Sequence, residues 1–134
     1  SSNTLNPVEQ ARLFGLMGKY QERNSAAYTA TEIWQHLMAS HQAFPFGSGR
    51  LKEGAPADLV IWDLYQPDTF PFYSPISAIL YSSNSQNVKY TMVAGEFLKY
   101  NGKLKIDTET LTQEAVRLQK ALLERGKGKA QVAY

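Results

Sequence analysis

The 134-residue chain contains no cysteine. Disulfides and thiolate metal sites are therefore excluded, and a reducing compartment fits, which we take as the cytoplasm. Histidine is nearly as scarce, with only His36 and His41. Five residues apart on a helix, they point about 140 degrees away from each other, so one face cannot hold both. The i, i+4 histidine pair with an intervening glutamate used by zinc peptidases is also missing. No apolar run reaches the roughly 18 residues of a membrane-spanning helix, and the polar opening SSNTLNP does not have the makeup of a signal peptide. Charge of one sign is lacking too, since 14 basic residues face 12 acidic ones for a net charge of +2. The one dense basic run, ERGKGKA, is spaced by glycine rather than aromatics and reads as a solvated tail, not a nucleic-acid surface. Neither a membrane nor a nucleic acid is expected as partner. What is present is apolar material: 43% of the residues, enough for a single domain-sized chain to bury a core.

That material is arranged in two periods. In LNPVEQARLFGLMGKYQERN, Asn6 is placed to cap a helix whose first position is Pro7, with Glu9 at capping-box spacing; the helix is expected over 7–23. Its apolar residues Val8, Ala11, Leu13, Phe14, Leu16, Met17 and Tyr20 cover more than a narrow stripe, so it should be contacted on more than one side. Thr29 and Glu32 form a second capping box before TATEIWQHLMASHQAF, which Pro45 and Gly47 should end. The period then changes to that of strands. ADLVIWDL reads as one strand, and VKYTMVAGEFLKYNGKL as two joined near Gly95, followed by a turn at Asn101-Gly102. Between them, YQPDTFPFYSPISAILYSSNSQN reads as a long surface connection carrying a short apolar segment over 76–81. The last element is an amphipathic helix with Leu111, Ala115, Leu118 and Leu122 in its stripe and Gly126 as a stop signal.

Few residues offer chemistry. A serine nucleophile has no G-x-S-x-G elbow, and Gly47 to Gly49 reads as a flexible turn. GSGRLKEG is not a phosphate loop, because it lacks the Lys-Ser/Thr pair and leads into a strand. Asp58 and Asp63 flank the same strand at an odd separation, which puts them on opposite faces. Asp58 is better explained as a turn and strand-entry residue that satisfies backbone donors. Phe70, Phe72 and Tyr73 are expected to pin their loop by packing. Nothing in the chain assembles a nucleophile, a base and an oxyanion site.

The stretch GRLKEGAPADLVIWDL has a further significance. Gly49, Leu51, Glu53-Gly54, Ala57-Asp58-Leu59-Val60 and Asp63 resemble the C-terminal signature of the amidohydrolase superfamily, where the chain leaves a (β/α)8 barrel and enters a small β-sandwich. AILYSSNSQNVKYTMVAGEFLKYNGKL is similar to the segment that follows in that family. TATEIWQHLMASHQAF resembles the preceding barrel helix, and SSNTLNPVEQARLFGLMGKYQ the segment after the last metal-ligating aspartate in the deaminase and chlorohydrolase-like branch. Ala55-Pro56 departs from the family's usual Gly-Lys.

The resemblance implies an α/β fold: the C-terminal part of a (β/α)8 TIM barrel plus part of the accompanying small β-sandwich domain. On that basis 1–46 would hold the last barrel helices, 47–106 the sandwich segment with its long connection, and 107–134 the C-terminal helix and tail. It implies metal-dependent hydrolysis of a C–N or C–Cl bond of a purine, pyrimidine or triazine. The divalent metal, zinc with iron or manganese as alternatives, would be bound by a missing N-terminal polypeptide of the same enzyme, since the family's His-x-His pair and other ligands are absent here. The chain alone is then expected to be inactive and to contain no catalytic or metal-ligating residue. Ser1, Ser2 and Asn3 would lie nearest the site, in substrate-contacting or supporting roles. Other expected partners are the small-molecule substrate and, for a homo-oligomer, further copies. A self-contained binding or scaffold module is the alternative reading.

Overall fold

A computed structural model of the chain describes residues 5–42 and 49–126, without the side chains of 40–42. The chain divides into two units, Ser1–Lys103 and Leu104–Tyr134. Helix α1 runs Pro7–Gln21. Asn6 Oδ1 accepts from the Val8 and Glu9 amides at 3.2 and 3.4 Å, and Pro7 stands where a missing N–H leaves nothing unsatisfied. The helix stops short of Arg23, the end expected from the apolar pattern, because Arg23 takes a left-handed φ of 49°. Its amide then reaches Tyr20 O at 3.2 Å and that of Asn24 reaches Lys19 O at 3.1 Å, closing a Schellman motif.

Helix α2, Ala30–Gln42, starts on a reciprocal capping box. The Thr29 amide and hydroxyl donate to Glu32 Oε2 at 2.7 and 2.9 Å, and the Glu32 amide donates back to Thr29 Oγ1 at 3.3 Å. The backbone and hydroxyl donors of Thr29 hold the Glu32 carboxyl below its ordinary range. The Pro45 and Gly47 stop lies outside the described residues. One turn into α2, Ile33 is buried to 1% exposure against α1 at Gly15. A Cβ at Gly15 would come within 2.4 Å of Ile33 Cδ1 and 2.9 Å of the Tyr81 hydroxyl. The contact face of α1 is therefore Arg12, Gly15 and Gly18, whereas Leu13, Leu16, Met17 and Tyr20 stay exposed.

The expected surface connection instead carries most of the core. After β1, Leu59–Trp62, the chain packs Leu64 and Thr69 inward, forms a three-residue helix α3 at Pro75–Ser77, and continues into a π-helical turn, Ala78–Ser82. Ala78, Leu80, Ser83 and Asn87 are buried, Leu80 completely. The polar side chains of Thr69, Ser83 and Asn87 can be buried because each finds a partner nearby. Thr69 Oγ1 donates to Leu64 O at 2.8 Å, Ser83 Oγ to Ile79 O at 2.6 Å, and Asn87 Nδ2 to Asp68 Oδ1 at 3.2 Å, while Asn87 Oδ1 accepts from the Asn84 amide at 2.7 Å. Arg12 on α1 reaches across to donate to Leu80 O at 2.7 Å and Ser83 O at 2.6 Å. The Tyr81 hydroxyl is buried without a hydrogen-bond partner among the described residues, and burial pushes its ionisation up.

β2, Val88–Val93, and β3, Glu96–Tyr100, follow as an antiparallel hairpin. Ala94 and Gly95 join them, both at positive φ (50° and 84°), as a two-residue primed turn requires. A second such pair, Asn101 and Gly102, leads to the two-residue β4, Lys103–Leu104. The sheet order is β1-β2-β3-β4, with β1 antiparallel to β2 in the register Val60 opposite Thr91. Asp58 Oδ1 accepts from the Ala94 amide at 2.7 Å, and Ala57 O from the Gly95 amide at 3.2 Å. The acid before β1 thus holds the turn between the other two strands. In the second unit α4, Thr108–Gly126, begins under Asp107, whose carboxylate accepts from the Glu109 and Thr110 amides at 3.1 and 3.0 Å and from the Thr110 hydroxyl at 2.6 Å. Its Leu111, Leu118 and Leu122 are exposed.

Gly15→Ala would gain about 1 kcal/mol of helix propensity but overpack a site where the ends of Ile33 and Tyr81 must shift aside, at about 1–3 kcal/mol. The net is a loss of up to about 2 kcal/mol, so an unchanged or lowered melting temperature is the expected result, and a raised one would contradict the close α1–α2 approach. Asp58→Ala should cost about 1–2 kcal/mol and speed amide exchange at Ala94, whereas Asp58→Asn, which still accepts, should keep most of both. Acid should act through Glu32, Asp63 and Asp107, whose carboxyls are all held low by hydrogen-bond donors. A depressed folded value means that stability is fully present above the unfolded values, about 4, and is lost as pH falls through the folded ones. Helical circular dichroism should hold from neutrality to about pH 5 and fall below about pH 4; a loss between pH 7 and 5 would assign it to other groups.

Candidate functional site

Ser1, Ser2 and Asn3 lie outside the described residues. His36 is exposed on α2, and the His41 side chain is outside the described set. Asp58 is committed to the Ala94 amide. Asp63, at the other end of β1, accepts from the Tyr65 amide at 3.1 Å and Gln66 Nε2 at 2.5 Å, with Lys89 Nζ at 3.6 Å. Gln66 first, then the Tyr65 amide and Lys89, hold its carboxyl below the usual range. Both aspartates are thus occupied by donors of their own fold, and the structure does not bring them together.

The aromatic group is partly as expected. Phe70 and Phe72 pack with Tyr65, at ring-centroid distances of 5.5 and 5.8 Å, but Tyr73 is fully exposed. Beside them lies an open cleft of about 250 Å³ lined by Thr69, Phe72, Tyr73, Ser74, Ser77 and Ser82 among others. Hydroxyl-bearing residues line it, but a hydroxyl becomes a nucleophile only beside a base, and among the described residues no histidine, aspartate or glutamate lines the cleft. Thr69 Oγ1 already donates to Leu64 O, and Ser74 Oγ accepts from the Ser77 amide at 3.3 Å as the cap of α3.

A divalent metal needs several convergent oxygen or nitrogen donors. Among the described residues no three of His, Asp and Glu converge in such a group, and the carboxylates of Asp58 and Asp63 are spent on hydrogen bonds. These residues do not fit a catalytic metal. What they do build is a support: Arg12, Asp68, Asn84 and Asn87 fasten the segment after β1 to itself and to α1. Sequence reasoning missed all four in that role. Asn84 and Asn87 were hidden inside a turn-like composition, and the one available signal for Arg12 was a lone cation in the apolar run ARLFGLMG.

No described helix is long and apolar enough to cross a membrane. The model of the Amidohydrolase family matches residues 39–98, from the end of α2 through most of β3. The chain is 36% identical over 127 residues to a 5-methylthioadenosine/S-adenosylhomocysteine deaminase of Caldicellulosiruptor saccharolyticus, an alignment covering 92% of this chain and 30% of that protein. An adenosine deaminase of Xanthomonas campestris, crystallised with bound zinc, superposes on 89% of this chain and 28% of its own, with a TM-score of 0.79 at 24% identity. The zinc complex of an atrazine chlorohydrolase from Arthrobacter aurescens superposes on 83% of this chain and 26% of its own, with a TM-score of 0.70 at 22% identity. At those identities the two structures speak to the fold alone. The chain thus spans less than a third of the length of the proteins it matches. The family model's match over residues 39–98 and the 36% identity to a deaminase over 92% of the chain agree, and on that agreement the chain belongs to the amidohydrolase family.

Proposed function

We propose that this chain is the C-terminal part of a metal-dependent amidohydrolase that deaminates a heterocycle, with aminopurine nucleosides as the substrate class. The observation that carries this reading is the alignment of 92% of the chain with 30% of a deaminase. In the reaction, water adds to the ring carbon that bears the amino group, the C–N bond breaks, ammonia leaves and the oxygen remains on the ring. The divalent metal that assists such hydrolysis, zinc with iron or manganese as alternatives, is assigned to the remaining polypeptide, because the described residues offer no donor set for it. No described residue is given a step in the chemistry. Ser1, Ser2 and Asn3 are assigned to the substrate side of the junction.

In this reading α1 and α2 are the last helices of a (β/α)8 barrel and the sheet is part of a β-sandwich. Leu13, Leu16, Met17 and Tyr20 support it: they lie 51–80% exposed along one helix, a surface that needs a neighbouring wall. The same exposure counts against a self-contained binding module. That wall is proposed to be the remaining polypeptide of the enzyme.

The test replaces the matching portion of the Caldicellulosiruptor saccharolyticus deaminase with this chain. The folded chimaera should release ammonia from 5′-methylthioadenosine and lose that activity to a chelator. The chain by itself should release none and carry far less than one equivalent of zinc, iron or manganese by metal analysis. A folded, metal-loaded chimaera with no ammonia release, or stoichiometric metal on the isolated chain, would overturn the assignment.

A further inference from the structure

The ties of α1 divide along its length. Lys19 Nζ donates to Ser25 O at 2.9 Å and also to Ala27 O. A Cβ at Gly18 would come within 2.6 Å of the Tyr28 ring, which also meets Phe14 edge-on at a centroid distance of 5.4 Å. These hold the second half of the helix to the loop that follows it. Arg12 is tied elsewhere: its Nε and Nη2 donate to Leu80 O and Ser83 O, 68 and 71 residues further along. Of these ties that of Arg12 lies nearest the cap, Asn6, at about 9 Å along the helix axis.

The anchor that Arg12 grips is itself fixed. Leu80 and Ser83 are buried, and the Ser83 amide closes the turn on Ala78 O at 2.8 Å. Ser83 Oγ donates to Ile79 O and the Asn84 amide to Asn87 Oδ1. A guanidinium is planar and presents its donors in a rigid fork, so bonds to two carbonyls set its direction as well as its place. The turns of α1 are closed by their own backbone hydrogen bonds. A shift at Arg12 is therefore carried along the helix to its first residue.

We infer that Arg12 is a positioning residue for the deamination. By seating the first half of α1 on the turn Ala78–Ser82, it sets the place from which Ser1, Ser2 and Asn3, assigned above to the substrate side, meet the substrate. The guanidinium is committed to two carbonyls of its own fold, so its effect on the reaction passes through the helix. The inference rests on the reading that this chain is one part of a longer deaminase; it adds the group through which the segment after β1 acts on that site.

The chimaera described above tests it with Arg12→Met, which keeps a long side chain and removes the donors. Per folded, metal-loaded molecule, kcat/KM for 5′-methylthioadenosine should fall at least about 10-fold, since a misplacement of about 1 Å can cost about 100-fold. The Gln10 and Ala11 amides should exchange at least about 10-fold faster. Ile33→Val, which loosens a core contact of the same unit, should leave kcat/KM within about 2-fold. Arg12→Lys keeps the charge without the fork; it should show the same losses to a smaller degree and serves where the methionine variant does not fold. A kcat/KM unchanged by the Arg12 variants would overturn the inference and leave the functional proposal standing. An equal loss in Ile33→Val would assign the effect to stability and overturn it too. A parent chimaera that folds, loads metal and releases no ammonia overturns the functional proposal instead. Exchange at Gln10 and Ala11 then still reads Arg12, and rates unchanged by its replacement would overturn the inference as well.

Discussion

The guanidinium of Arg12 holds this chain's first unit together. It sits on α1 and donates to two carbonyls, Leu80 and Ser83, that lie 68 and 71 residues further along. Those carbonyls belong to a π-helical turn, whose end leaves oxygens without partners in the helix itself. Their burial is tolerable because a fixed cation with several donors satisfies both at once. With that clamp in place α1 lies across the turn, and Gly15 becomes the point where helix, Ile33 and Tyr81 meet. Larger side chains on the same face would hold the helices apart and carry Arg12 out of reach.

The same logic explains why the carboxylates of this chain are poor candidates for chemistry. Asp58 fastens the β2–β3 turn to the start of β1, and Asp63 fastens the exit of β1 to Gln66 and Lys89. Asp68 holds Asn84 and Asn87. Each acid is tied to donors of its own fold, and a carboxylate so bound is a brace rather than a general acid. In an amidohydrolase, a part made of braces belongs to the scaffold. The row from Leu13 to Tyr20 stays exposed on α1, and β1 stands at an edge of the described sheet.

Much of the local structure was legible beforehand. Asn6, the Thr29–Glu32 box, the Ala94-Gly95 joint and the Asn101-Gly102 turn act over two to four residues, so their meaning is written in adjacent letters. The family was legible as well, because GRLKEGAPADLVIWDL keeps its turn residues and strand formers in order. The segment after β1 was misread as surface for an equally physical reason. Prolines, serines and asparagines are the residues of loops, and only the folded chain shows that Thr69, Ser83 and Asn87 find partners within five residues and are buried with them. Tyr73 was grouped with Phe70 and Phe72 by proximity in sequence, yet it faces solvent.

Sequence by itself determined the caps, the turns, the strand and helix periods and the family, since each depends on residues close together or on a pattern kept in order. It also ruled out thiolate chemistry and a paired-histidine site. Tertiary structure alone decided which face of α1 is inside. Counting apolar residues favoured the leucines, but within this unit the glycines and Arg12 win, because close approach and two unsatisfied carbonyls matter more there than apolar area. It alone also decided that β1 stands at an edge, a property of neighbours in space that no stretch of four letters contains.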